Sequence, residues 1–286
     1  MDEIHIKSML KKLIFILIIV ATLTFSGCVD SADDTLESAE DIIATVEEVA
    51  DAIDDIENTP EDTPQVEPSD SIVVGAFNVQ VFGVSKADKP EVMDVLADIV
   101  RTYDVVAIQE IRDKSQTALP ELVALVNSDG SQYDYVVSER LGRTSSKEQY
   151  AYIYNTQTVE ITGIPETYPE PEGTDPFHRQ PYIAGISSTQ GNFDAVLMVI
   201  HTDPDEATEE INALDDALAY AQSVYQEEND FIIMGDFNAD GSYFDEDSTS
   251  DLDQYHWVID DSVDTTTKST DYTYDRIVLT DSSDLV

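Results

Sequence analysis

The chain has 286 residues, with 14 Lys and Arg against 60 Asp and Glu, a net charge of −46 at pH 7. That balance excludes a protein that grips nucleic acid on a broad basic face, and a single cysteine, Cys28, excludes an intrachain disulfide. Self-repulsion of this size weakens a compact fold in dilute buffer, but at ~1 M salt the screening length falls to about 3 Å, so the composition suits high salt and the acid reads as a solvated surface.

In chain order, Lys7, Lys11 and Lys12 precede a largely apolar run from Leu13 to Phe25, then Ser26-Gly27-Cys28. This is the layout of a signal peptide over residues 1–27. The run is shorter than the ~17 residues a bilayer span needs. Ser-Gly-Cys resembles a lipobox, which makes Cys28 a lipid-modified first residue and anchors the protein to the outer face of the cell membrane. An uncleaved membrane anchor is the alternative. Over residues 28–70, Leu36, Ile42, Ile43, Val46, Val49, Ile53 and Ile56 recur at helical spacing in an acidic segment, which predicts a helical stalk. Thr59 to Asp70 holds three prolines and no aromatic residue, the composition of an extended linker.

From Ser71 the texture changes. Ile72 to Val81 is rich in strand formers. Val92, Val95, Leu96, Ile99, Val100 and Tyr103 form a helical stripe, with Pro90 near its start. Asp104 to Ile111 predicts a strand and Leu119 to Val126 a helix. Tyr133–Val137, Tyr150–Asn155, Tyr182–Ile186 and Val196–His201 read as strands. Glu206 to Tyr225 predicts a long helix, and Phe231–Gly235 and Arg276–Leu279 predict two more strands. Strands mixed with helices indicate an α/β domain over residues 71–286.

Five strand ends carry polar groups that burial alone does not require. Asn78 follows Ala76-Phe77, Glu110 follows VVAIQ, and His201 follows VLMVI. Asp236 and Asn238 follow FIIMG, and Asp275 opens the strand in TYDRIVL. Alone, each is as well explained by a local cap. Together they supply hard oxygen donors, an imidazole and spare carboxylates. Oxygen donors favour Mg²⁺, Mn²⁺ or Ca²⁺ over zinc. Phosphodiester hydrolysis needs a cation on the phosphate oxygens, groups that move protons, and a carboxylate behind each imidazole.

These motifs resemble the endonuclease/exonuclease/phosphatase superfamily, and within it the deoxyribonuclease I branch. The resemblance rests on AFNVQVFG (76–83), YDVVAIQEIRD (103–113), YVVSERLGRTSSKEQY (135–150), FHRQP (177–181), HTDPDEATEEINAL (201–214), MGDFNADGSY (234–243) and DSVDTTTKSTDYTYDRIV (261–278). It implies a four-layer α/β/β/α sandwich and a divalent-metal-dependent endodeoxyribonuclease acting on DNA outside the cell, and a monomer is the expected state. Asn78 and Glu110 would hold Mg²⁺ or Mn²⁺. Asp236 and Asn238 would face the scissile phosphate or a second ion. His201 would be a catalytic imidazole oriented by Glu148, and Asp275 would support a second imidazole. Arg112 and Arg179 would contact the DNA backbone. Asp264, Thr266 and Thr270 resemble a structural Ca²⁺ loop, interrupted by Lys268.

The same resemblance exposes departures. The family ends in a strand bearing Ser-Asp-His, whose His is the second imidazole, whereas this chain stops at Val286. The expectation is a C-terminally incomplete sandwich lacking its last strand. Gly241 stands where the family has a disulfide cysteine at the GDFNA turn. Gln80 replaces a basic DNA-contacting residue, Ser146 a tyrosine, and Gln180 a glutamate. Rival expectations are a catalytically impaired surface lipoprotein, or a phosphomonoesterase or phospholipid phosphodiesterase on the same fold.

Overall fold

The computed structural model describes residues 71–244, 250–267 and 269–280. The expected signal segment, Cys28, stalk and linker lie outside them, as do Lys268 and everything after Thr280. Among the described residues no helix is long and apolar enough to cross a membrane.

Among the described residues, ten strands form two sheets. The first sheet has the order β1 (Val74–Phe82), β2 (Val105–Ile111), β4 (Gln149–Asn155), β3 (Tyr133–Val137). The second has the order β5 (Val159–Thr167), β6 (Tyr182–Ser188), β7 (Asp194–His201), β8 (Phe231–Asp236), β10 (Asp275–Leu279), β9 (His256–Trp257). The helices are α1 (Val84–Ala87), α2 (Pro90–Val100), α3 (Ala118–Val126) and α4 (Ala207–Val224).

Three apolar cores stack through the domain. Met93, Leu96 and Val100 of α2 and Leu119 and Leu122 of α3 cover one face of the first sheet, against Val106, Ile108 and Ile153. Ile211, Leu214 and Leu218 of α4 cover the outer face of the second, against Met198, Ile200 and Ile233. Between the sheets lie Val105, Ala107, Tyr150, Tyr152, Leu197, Val199 and Met234. The order helix, sheet, sheet, helix is the expected sandwich. It explains why β2 opens on the apolar run Val105–Ile108: all seven residues of the strand are buried, because both of its faces are covered. Each fully buried Leu or Ile contributes about 1.5–3 kcal/mol relative to exposure.

Two strands escaped the sequence reading. β5 is an edge strand interrupted by Gly163 and Pro165, with a register break between Thr162 and Glu166. β9 is two residues long. α2 starts with Pro90 at its first turn, where the missing N–H costs nothing. The start of α3 is fixed by Asp113. Its carboxylate accepts N–H groups from Ser115 (2.8 Å), Thr117 (2.7 Å) and Ala118 (3.0 Å). Burial opposes that charge, but these hydrogen bonds outweigh it and hold the group well below the usual carboxylate range.

Candidate active site

The second sheet supplies its polar residues in one row. His201 on β7 is the parallel register partner of Asp236 on β8, and Asp236 is the antiparallel partner of Asp275 on β10. Gly235 lets the strands close here. Its φ is +134°, and a Cβ on it would run into the Ile200 carbonyl oxygen. Glycine is therefore required by both conformation and space.

The first sheet supplies its residues through irregularity. Between Asn78↔Gln109 and Phe82↔Ile111, β1 advances four residues while β2 advances two. Between Ile108↔Ala151 and Ile111↔Gln149, β2 advances three while β4 advances two. Both strands thus bulge at the residues of interest, a device that re-aims side chains beside functional sites. Three non-glycine residues there are left-handed: Gln80 (φ 48°), Val81 (φ 55°) and Glu110 (φ 61°). Each such residue costs roughly 1–2 kcal/mol, so other contacts must hold them.

The tips of the two sheets meet. Asn78 Nδ2 donates to Glu110 Oε1 (3.3 Å) and to Asp236 Oδ2 (2.9 Å), bridging the sheets. His201 Nδ1 lies 2.9 Å from Glu148 Oε2, and its Nε2 lies 3.9 Å from Asp236 Oδ2. An ionised carboxylate only accepts, so Nδ1 carries the proton and the Nε2 lone pair faces the cleft. Glu148 sits at the base of a hairpin: Leu141 and Glu148 exchange both backbone hydrogen bonds, at 2.7 and 3.0 Å. That closes the GRTSSK loop and pushes the carboxylate inward, where it is 1% exposed.

Charge runs through this cluster in alternation. Arg112 Nη2 bridges Glu148 Oε1 (2.8 Å) and Glu110 Oε2 (3.1 Å). Burial works against the Glu148 charge, but His201, Arg179 and Arg112 overcome it and draw its pKa down to about 2. Burial likewise opposes charge on His201, yet the Glu148 hydrogen bond and the Asp236 charge win, and its pKa is raised. Asp275 behaves oppositely. Burial, then repulsion from Asp236, pushes its pKa up to about 7. Asp275 therefore keeps its proton near neutrality.

Arg179, expected on the DNA backbone, is 5% exposed. Its Nε donates to the His201 carbonyl (3.0 Å) and its Nη2 to the Thr202 carbonyl (3.1 Å). In this arrangement it braces the chain beneath His201. Arg112, with a third of its side chain exposed, is the arginine that reaches the cleft. Asn238 (φ 48°) donates from Nδ2 to the Thr202 carbonyl at 3.1 Å and is 5% exposed, so it fixes the turn after β8. Asp275 faces Asp236, and among the described residues no second imidazole stands beside it. Asp264 is engaged by Thr266 N and Oγ1, each at 2.9 Å, and Thr266 Oγ1 donates to the Thr270 carbonyl at 2.6 Å. These three form one turn, which is joined to the cluster above through Thr265, whose Oγ1 accepts the Asp275 N–H at 3.1 Å. At Gly241 (φ +66°), an added Cβ would lie 3.0 Å from Tyr272 Cε1. A tyrosine ring thus packs at the turn where the resemblance implies a disulfide.

Some residues the sequence reading passed over matter here. The Tyr150 hydroxyl accepts the His201 N–H at 2.9 Å. Arg276 is 2% exposed and donates to the Ala239 carbonyl at 2.9 Å, tying β10 to the GDFNA turn. Glu210 has no exposure, and its Oε1 accepts from His178 N (3.1 Å) and Asp203 N (3.2 Å). It stands on the buried stripe of α4 beside Ala207, Ile211 and Leu214. A carboxylate on that stripe was a signal in the sequence itself.

The donor set suits a hard cation. Among the described residues no three His, Cys, Asp or Glu side chains make a metal cluster by themselves. What is present is two carboxylates, Glu110 and Asp236, both accepting from the amide nitrogen of Asn78. That is the way Mg²⁺ is usually held, by one or two carboxylates with water and substrate completing the shell.

A four-layer sandwich whose sheet tips combine an imidazole–carboxylate pair with hard oxygen donors is a hydrolase of phosphate esters by architecture. Residues 75–283 match the Endonuclease/Exonuclease/phosphatase family, and the chain belongs to it. It is 37% identical to Deoxyribonuclease-1 of Bos taurus over 224 residues, covering 74% of this chain and 78% of that protein. It is 36% identical to Deoxyribonuclease gamma of Mus musculus, covering 71% and 69%. Among solved structures, a mannosyl-6-phosphatase of Bacteroides thetaiotaomicron shares the fold, with TM-score 0.52, 16% identity and coverage of 74% and 86%.

Proposed function

We propose that this chain is a divalent-cation-dependent phosphodiesterase that cuts DNA outside the cell, anchored to the membrane's outer face through Cys28. The observation that carries the reading is the convergence of Asn78 and Glu110 from one sheet with His201, Asp236 and Asp275 from the other. The similarity to deoxyribonucleases at 36–37% identity supports DNA as the substrate.

In this reading Glu110, Asn78 and Asp236 would hold Mg²⁺ or Mn²⁺, which would neutralise charge on the phosphate. His201 Nε2 takes the proton of the water whose oxygen bonds to phosphorus. Glu148 keeps that imidazole in its Nδ1–H tautomer and stabilises it once it is charged. The P–O bond to the sugar then breaks. Asp275, which holds its proton near neutrality, is the group assigned to the departing oxygen. Arg112 faces a non-bridging phosphate oxygen, and Asn238, Tyr150 and Arg179 hold the backbone on which His201 stands. Ca²⁺ at the Asp264 turn is a further proposal, supported only by the resemblance.

One observation favours a second reading. Among the described residues the cleft has a single imidazole, which fits a surface lipoprotein that binds nucleic acid with little turnover.

The test compares supercoiled plasmid, sphingomyelin and inositol phosphates at ~1 M salt with Mg²⁺. Nicking of plasmid alone is expected. Hydrolysis of a phosphomonoester or of sphingomyelin in preference to DNA would reject the nuclease, and DNA binding without nicking would select the second reading. Cys28→Ser should move the protein from the membrane to the soluble fraction, and unchanged partition would remove the anchor.

A further inference from the structure

The strained turn of β1 points its own two side chains outward, between the buried Val79 and Phe82. Gln80 and Val81 are both left-handed, yet Val81 is 52% exposed and Gln80 is exposed as well. Burial of Gln80 and Val81 themselves therefore does not impose the conformation, and a β-branched residue at positive φ needs neighbouring contacts to fix it. The helix that follows, α1, buries none of its four residues. It does, however, place one side chain. Lys86 Nζ donates to the Val79 carbonyl at 2.6 Å and to the Gln80 carbonyl at 2.5 Å.

The N–H side of the same turn is held by the very groups assigned to the cation. Gln80 N donates to Asn78 Oδ1 at 2.8 Å, and Val81 N donates to Glu110 Oε2 at 2.7 Å. The turn is thus gripped from both sides, with the ammonium on its carbonyls and the two ligand side chains on its amides. Asn78 and Glu110 take their directions from it.

We propose that Lys86 is a positioning residue for the cation-binding half of the cleft, clamping the left-handed Gln80–Val81 turn and so setting where Asn78 and Glu110 point. This rests on reading Asn78 and Glu110 as cation ligands. Without the ammonium, the Val79 and Gln80 carbonyls fall back on water. The turn then relaxes towards ordinary β pairing, and both ligand side chains lose their N–H partners together. Lys86 touches neither cation nor substrate, so it acts only through them.

The experiment titrates the full chain with Mn²⁺ at high salt, reading free Mn²⁺ by electron paramagnetic resonance with no DNA present. Lys86→Met should weaken Mn²⁺ binding roughly 10–100-fold, the usual effect of removing an outer-shell partner, with the melting temperature little changed. Lys86→Arg, which keeps the charge and its donors, should recover most of that loss. In plasmid assays the Mn²⁺ requirement of Lys86→Met should rise while the acid limb of the pH profile stays in place. Equal Mn²⁺ affinity in Lys86→Met and wild type overturns the proposal. If Lys86→Met does not fold, Lys86→Gln, with one donor on a shorter stem, carries the same comparison, and equal affinity again overturns it. A wild-type chain that binds Mn²⁺ but leaves DNA whole breaks the nuclease reading and not this one.

Discussion

The two halves of the cleft are built by opposite means. In the second sheet His201, Asp236 and Asp275 are register partners in one row across three regularly paired strands, so regular pairing sets their spacing. In the first sheet Asn78 and Glu110 sit where the ladder fails, on bulged strands with left-handed residues. Regular register fixes a row of groups that must stay at one separation. Bulges aim individual side chains out of the pleat and depend on polar clamps such as Lys86 and Arg112. The second half should therefore tolerate change in its surroundings and fail on change in its row, whereas the first should be sensitive to residues that touch no ligand.

The largest effects should come from the row itself. His201→Ala should lower single-turnover DNA cleavage by about 10²–10⁴-fold, the range for losing a proton-transfer group. Residual cleavage within a factor of a few of wild type would remove His201 from its role. Glu148→Gln should cost about 10–100-fold, as for other groups that orient an imidazole, and should also move the pH profile. The base must be neutral, so activity is lost as pH falls through the raised His201 pKa. Removing the Glu148 charge should shift that acid limb downward. Gly235→Ala tests the ladder: the Cβ meets the Ile200 carbonyl at an unfavourable φ, and unfolding in urea should show a loss of at least ~2 kcal/mol.

The smallest effect concerns Glu210. Burial, only partly offset by the His178 and Asp203 N–H groups, raises its pKa from 4.5 to about 7. Between those values the folded protein holds a proton that the unfolded chain has released. Its contribution to stability is thus complete below about 4.5 and is lost as pH rises through about 7. Asp275, also near 7, acts in the same direction. Glu210→Gln should flatten, without abolishing, the fall in melting temperature between pH 5 and pH 8. An unchanged slope would show that Glu210 does not titrate there.

Most of the second sheet's half was legible in the sequence, because a regular strand announces both its core and its end. VLMVIH and FIIMGD give apolar runs whose next residue is polar, and the row of His201, Asp236 and Asp275 follows from pairing alone. The first sheet's half was legible only as residue types. Nothing in AFNVQVFG signals that Gln80 and Val81 are left-handed, since neither is Gly or Asn, and the conformation is imposed from Lys86 and Glu110 across the fold. Arg179 shows the same limit. The resemblance implies a DNA-backbone contact for the arginine of FHRQP, whereas the chain folds it under His201, where two carbonyls and Glu148 surround it. The edge strand β5 was missed because Gly163 and Pro165 break the alternation that marks a strand.

The central claim is that groups from both sheets work as one site, and a double-mutant comparison tests it most directly. Single-turnover plasmid cleavage would be measured for wild type, Glu110→Ala, His201→Ala and the double variant, with Mg²⁺ at high salt. Residues that act as a unit are far from additive, so the double variant should be no slower than the worse single variant within a few-fold. Losses that multiply, or a Glu110→Ala variant that cuts like wild type, would contradict the account.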